Sequence, residues 1–139
     1  MRGRLYRLLP HTADLLVEAR GRNLPDLFSS CVEALFSLIT DRRRVRASET
    51  RTVVISAGDP VDRLFLLLRG ALLLYSADGF LARNARVTIG NGTVTLRVAG
   101  EPADFTRHAA VREIKAVTAH AMAVRRTPGG VIARFIVDV

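Results

Sequence analysis

Tryptophan is absent from these 139 residues, cysteine occurs once, and lysine occurs once, at Lys115, among 21 basic residues. A single cysteine, Cys31, allows no intrachain disulfide and fits a reducing compartment. Three histidines without a cysteine pair do not supply the ligand set of a structural zinc site. No GxxxxGK[ST], GxGxxG, HExxH, CxxC or GxSxG is present, so the familiar sequence routes to nucleotide binding, zinc chemistry and serine catalysis have no support. Aromatics make up 6% and fall mostly at helix core positions, which leaves no base-stacking platform. The longest apolar stretch, Leu64–Tyr75, is interrupted by Arg69 and Gly70 and is shorter than the roughly 20 residues of a spanning helix. The first residues are basic but lack the apolar run of a secretory signal. A cytoplasmic protein without a membrane role is expected.

What is present suits one domain, residues 1–139, with 49% hydrophobic and 24% charged residues. The formal net charge of +8 favours acidic partners such as RNA, DNA or an acidic protein surface; the plainer reading is an arginine-rich exterior.

Leu15–Arg20 alternates as a strand and stops at Gly21. Asn23 is an N-cap, followed by apolar residues at helical spacing from Leu24 to Ile39, with Cys31 on the core face. Thr52–Ser56 reads as a strand. Residues 60–76 read as a second helix, apolar almost all round, and therefore buried or meeting a partner. Ala85–Ile89 and Thr93–Val98 flank Gly90-Asn91-Gly92, a hairpin signal. A polar segment, Glu101–Arg112, precedes a last hairpin of Ala116–Val124 and Val131–Val137. The fold class is α+β: two α-helices against a mostly antiparallel sheet.

Three places break the pattern. HTAD, residues 11–14, sets Asp14 at a sheet end, as a functional carboxylate or as a turn cap. In FIVDV, Phe135 and Val137 share one strand face while Ile136 and Asp138 share the other. Asp138, the oxygens of Val139 and Asp14 form an oxygen set suited to a hard divalent cation (Ca²⁺, Mg²⁺ or Mn²⁺); the alternative is a solvated terminal carboxylate. EIKAVTAH, residues 113–120, holds Lys115, a compact point charge where the chain otherwise uses the arginine fork. Glu113 is either its ion-pair partner or a surface charge. His120 reads as a strand histidine, whereas His11 and His108 lie in loops and are candidate neighbours of a site. If Thr127 pairs with Gly130, Asp138 faces Ala119 and Lys115 is about 13 Å further along the strand. A simple hairpin thus keeps Lys115 away from Asp138.

The segments LPHTADLLVEARG, GEPADFTRHAAVREIKAVTAH and FIVDV, in this order over nearly the whole chain, resemble the archease family. The resemblance implies a small α+β partner of a GTP-dependent RNA ligase of the RtcB type, which acts in tRNA splicing and RNA repair. The ligase would carry the guanylylated histidine. The partner would promote guanylylation and multiple turnover, as a chaperone-like activator with no catalysis of its own. The resemblance also implies a divalent-metal site at Asp14, Asp138 and Val139, with calcium among the candidates, and a functional lysine at Lys115. The chain departs from the family's habit at Leu67 and Gly70 in the second helix, at Ala119, and in its basic charge. Two other classes remain beside this reading: a stand-alone acid–base enzyme using Asp14, Lys115 and Asp138, and a direct RNA-binding module.

Overall fold

Asn23 begins the first helix through a reciprocal cap. Its Oδ1 accepts the Asp26 N–H at 2.9 Å, and Asp26 Oδ2 accepts the Arg22 N–H at 3.0 Å. Pro25 stands in the first turn, where its missing N–H has no helical partner to lose. In the computed structural model, residues 5–9, 14–56 and 58–139 are described. The elements are β1 (Tyr6–Leu9), β2 (Leu15–Gly21), α1 (Leu24–Ile39), a 3₁₀ turn (Arg42–Arg44), β3 (Glu49–Ser56), α2 (Pro60–Ser76), β4 (Phe80–Gly90), β5 (Thr93–Pro102), β6 (Ala116–Thr127) and β7 (Gly130–Asp138). Among the described residues no helix is long and apolar enough to cross a membrane.

The two helices and the antiparallel pairing agree with the sequence. The strands, however, form two sheets rather than one: β1-β2-β7-β6 and β3-β5-β4. Each helix packs on strands of both, α1 on β2 and β4, α2 on β6 and β3. Burial follows this placement. Leu27, Phe28, Cys31, Leu35 and Phe36 of α1 are fully buried around the helix, whereas α2, the more apolar stretch to the eye, leaves Leu73 half exposed. Burial also pushes the Cys31 thiol well above its usual pKa, so it serves as core and not as a nucleophile.

Helix α1 also covers the free edge of β4. Ser29 Oγ accepts the Val87 N–H at 2.9 Å and the Glu33 carboxylate accepts the Ala85 N–H at 3.1 Å. An edge strand left bare would invite pairing with another chain. The β4–β5 turn is as expected, with Asn91 and Gly92 both at positive φ (53° and 74°).

The β6–β7 hairpin corrects the simple register. Thr127 does pair with Gly130, and pairing continues to Ala123 opposite Arg134. The next pair is Thr118 with Ile136, so the four residues 119–122 oppose Phe135 alone. Ala121 adopts φ 58° within this bulge, a left-handed conformation uncommon for a residue with a Cβ. The result is that Asp138 faces Ala116 and not Ala119.

Candidate functional site

The site forms where β2 begins and β7 ends. Leu15 pairs with Val137, which sets Asp14 across from Asp138 at the rim of the sheet. Both side chains are half-buried. The Asp138 carboxyl lies close enough to that of Asp14 for the two to interact directly. The direct contact with Asp14, then partial burial, then the Asp14 charge raise the Asp138 pKa above its ordinary value, while the charge of Lys115 pulls it back down.

Lys115 arrives here because of the bulge. Its backbone N–H donates to the Asp138 carbonyl oxygen at 2.8 Å, and its side chain is exposed. The segment leading to it, 103–115, is polar and without regular structure, yet it is tied down along its length. Thr40 Oγ1 donates to the Ala109 carbonyl at 2.6 Å, the Val111 N–H to the Ile39 carbonyl at 3.0 Å, and Arg112 Nη1 to the Leu38 carbonyl at 3.1 Å. The last two satisfy carbonyls that the end of α1 leaves without helical partners, and Arg112 supplies the positive charge that the last turn of α1 lacks. Ile114, 3% exposed, anchors the segment in the core next to Lys115.

His108 belongs to a different structure from the one its loop position suggested. It is buried; its Nδ1 accepts the Asp104 N–H at 2.9 Å, so Nε2 carries the proton and donates to Glu101 Oε2 at 2.9 Å. Glu101 also accepts from Arg107 at 3.0 and 2.5 Å and from the Arg46 N–H at 2.7 Å. These donors, Arg107 first, hold the Glu101 carboxyl well below the usual carboxylate range. His108 is therefore a brace that joins β5, the loop after α1 and the 103–115 segment.

Glu113 lines a shallow pocket with Ile39, Tyr75, Phe105 and Arg112. His120 sits exposed in the bulge, its N–H donating to Thr118 Oγ1 at 3.1 Å. Val139 is exposed beside Asp138. His11, with the rest of HTAD before Asp14, lies outside the described residues. Among the described residues no three His, Cys, Asp or Glu side chains form a metal-binding group. The described part of the site is thus a facing pair of carboxyls with an ammonium nearby. Sequence reasoning missed Glu101, Arg107 and Arg112 as its supports. The signal available was a Glu and an Arg-His pair bounding a polar segment that ends at the lone lysine.

A family model, that of the Archease protein family, matches residues 6–139. The chain is 30% identical to protein archease of Sulfurisphaera tokodaii, over 96% of this chain and 98% of that one. It is 32% identical to protein archease of Thermococcus gammatolerans (92% and 94% covered) and 34% identical to that of Methanopyrus kandleri (94% and 96%). The solution structure of Methanobacterium thermoautotrophicum protein 1598 is similar in fold, with a TM-score of 0.83 at 27% identity, over 99% of this chain and 100% of that one.

Proposed function

The chain belongs to the archease family, and on that footing we propose that it is a non-catalytic activator of a GTP-dependent, RtcB-type RNA ligase. It would act in the cytoplasm, promoting guanylylation and multiple turnover of the ligase in tRNA splicing and RNA repair. The observation that carries the reading is the convergence of Asp14, Asp138 and Lys115 at one sheet rim, brought about by the β6 bulge.

A divalent cation fits the acidic pair. Two facing carboxyls whose charges disfavour each other would offer hard oxygen donors to Ca²⁺, Mg²⁺ or Mn²⁺. Asp14 and Asp138 would hold the ion, with oxygens of Val139 as further donors. When bound, the ion supplies positive charge to phosphate oxygens of a nucleotide. A seat of two carboxylates leaves positions open for those oxygens, as is usual for Mg²⁺ at nucleotide sites. Lys115, anchored by its backbone N–H and exposed, would grip nucleotide phosphates or an acidic ligase group as a point charge.

In multiple-turnover ligation by the cognate ligase, Asp14→Ala, Asp138→Ala and Lys115→Ala are each expected to lower stimulation by about tenfold or more, a loss equivalent to about 1.4 kcal/mol. Lys115→Arg should rescue little, because a planar fork replaces a compact ammonium. Wild-type stimulation by all three alanine variants would refute the reading. Turnover of a small substrate without ligase would favour a stand-alone enzyme instead.

A further inference from the structure

We infer that the outward face of the β3-β5-β4 sheet is a docking surface for the sugar–phosphate backbone of RNA. Its centre is a pair of arginines. Arg86 on β4 and Arg97 on β5 are direct cross-strand partners on the same, exposed face. Antiparallel partners have Cα atoms about 5 Å apart, and like charges placed opposite each other destabilise a sheet. Several arginines elsewhere are matched to a carboxylate. Arg7 and Arg134 share Glu18, Arg43 pairs with Asp41, Arg51 with Glu49, and Arg107 with Glu101. Among the described residues, neither Arg86 nor Arg97 has a carboxylate partner. The two acids on these three strands, Glu49 and Glu101, are already paired with Arg51 and Arg107. The register gives Thr50, Thr52, Val54 and Ser56 on β3, with threonine, alanine, asparagine and glycine around the arginines on β5 and β4. The opposed pair is left without a carboxylate of its own among the described residues, and an external anion is what resolves it.

The surroundings select the anion. An acidic protein partner would be gripped by aromatic or large apolar anchors, and Val54 is the one large apolar side chain here. A membrane surface would require an apolar stripe to insert. Hydroxyls and a carboxamide beside two guanidiniums match phosphate oxygens and ribose 2′-hydroxyls. With no aromatic ring on the face, bases have nothing to stack on, so recognition is of backbone and is independent of sequence. This surface is separate from the acidic rim of the other sheet, and its test needs no ligase.

The experiment is fluorescence anisotropy of a labelled tRNA with the full chain, titrated at several salt concentrations. Arg86→Gln/Arg97→Gln is expected to bind about tenfold more weakly at about 0.1 M salt and to flatten the slope of log K against log salt by about 1.4, two contacts at 0.7 each. The control Arg125→Gln/Arg126→Gln removes the same charge from exposed positions on β6 and should lose about twofold or less. The Gln pair should melt no lower than wild type, because a repulsion has been removed. Equal losses in both double variants, no loss in either, or poly-glutamate competing as well as RNA would overturn the inference.

Discussion

Asp138→Asn is expected to raise the melting temperature of the metal-free protein at pH 7 and to abolish stabilisation by divalent cations. In the wild type the Asp138 carboxyl has a raised pKa, chiefly through its direct contact with Asp14. A carboxyl whose folded pKa lies above its unfolded value stabilises the fold below the unfolded value, and that contribution is lost as pH rises through the folded one. At neutral pH the ionised Asp138 facing Asp14 is therefore a liability unless a cation offsets their charges. An asparagine amide donates to Asp14 at every pH and needs no proton, so the penalty disappears. It also removes one of two anionic oxygen donors, and divalent affinity should fall by about tenfold or more. Thermal melts of both proteins in chelator and in Ca²⁺, Mg²⁺ or Mn²⁺ check this. A wild type that none of the three ions stabilises would remove the metal from the account.

Glu101→Ala is expected to cost about 3 kcal/mol, the largest stability effect of any single charged side chain here, because it leaves the buried end of Arg107, His108 and the Arg46 N–H without their acceptor. For a chain of this length that corresponds to a drop of about 10 °C in melting temperature. The pH dependence carries the opposite sign to Asp138. The Glu101 pKa is depressed when folded, so its contribution is present above the ordinary value near 4.5 and is lost as pH falls through the depressed one. Wild type should lose stability on acidification below about pH 4.5, and Glu101→Ala should show less of that loss. The brace also holds the segment that ends at Lys115. Glu101→Ala should therefore reduce ligase stimulation at temperatures where the domain is still folded, although Glu101 is not at the rim. Unchanged melting with unchanged stimulation would show that the segment is held by its bonds to α1 alone.

Local chemistry made much of the fold legible. The Asn23 cap, the Asp59-Pro60 start of α2, the Asn91-Gly92 turn and the Thr127–Gly130 closure each follow from a residue that forces its own conformation. The second sheet was not legible. β3 pairs with β5 across an intervening helix and strand, and alternation reports which face is buried but not which strand lies beside it. The bulge was hidden for a related reason. Residues 119–122 contain no glycine, and Ala121 takes its left-handed φ only because the pairings on either side are fixed by burial of Val117 and Phe135 and by the 103–115 ties. The roles of Ser29 and Glu33 on the edge of β4 are likewise non-local. Asp14 and Asp138 drew attention as acids at the ends of apolar strands. Hairpin counting alone would have kept Lys115 away from them.

The central claim is that the rim formed by Asp14, Asp138 and Lys115 accelerates nucleotide attachment to a partner ligase. Its most direct measurement is the single-turnover rate of ligase guanylylation at limiting divalent cation, with and without this protein. The account predicts acceleration by wild type and loss of about tenfold or more of that acceleration in Lys115→Ala and Asp138→Ala, with ligase binding retained. Equal acceleration by wild type and both variants would contradict it.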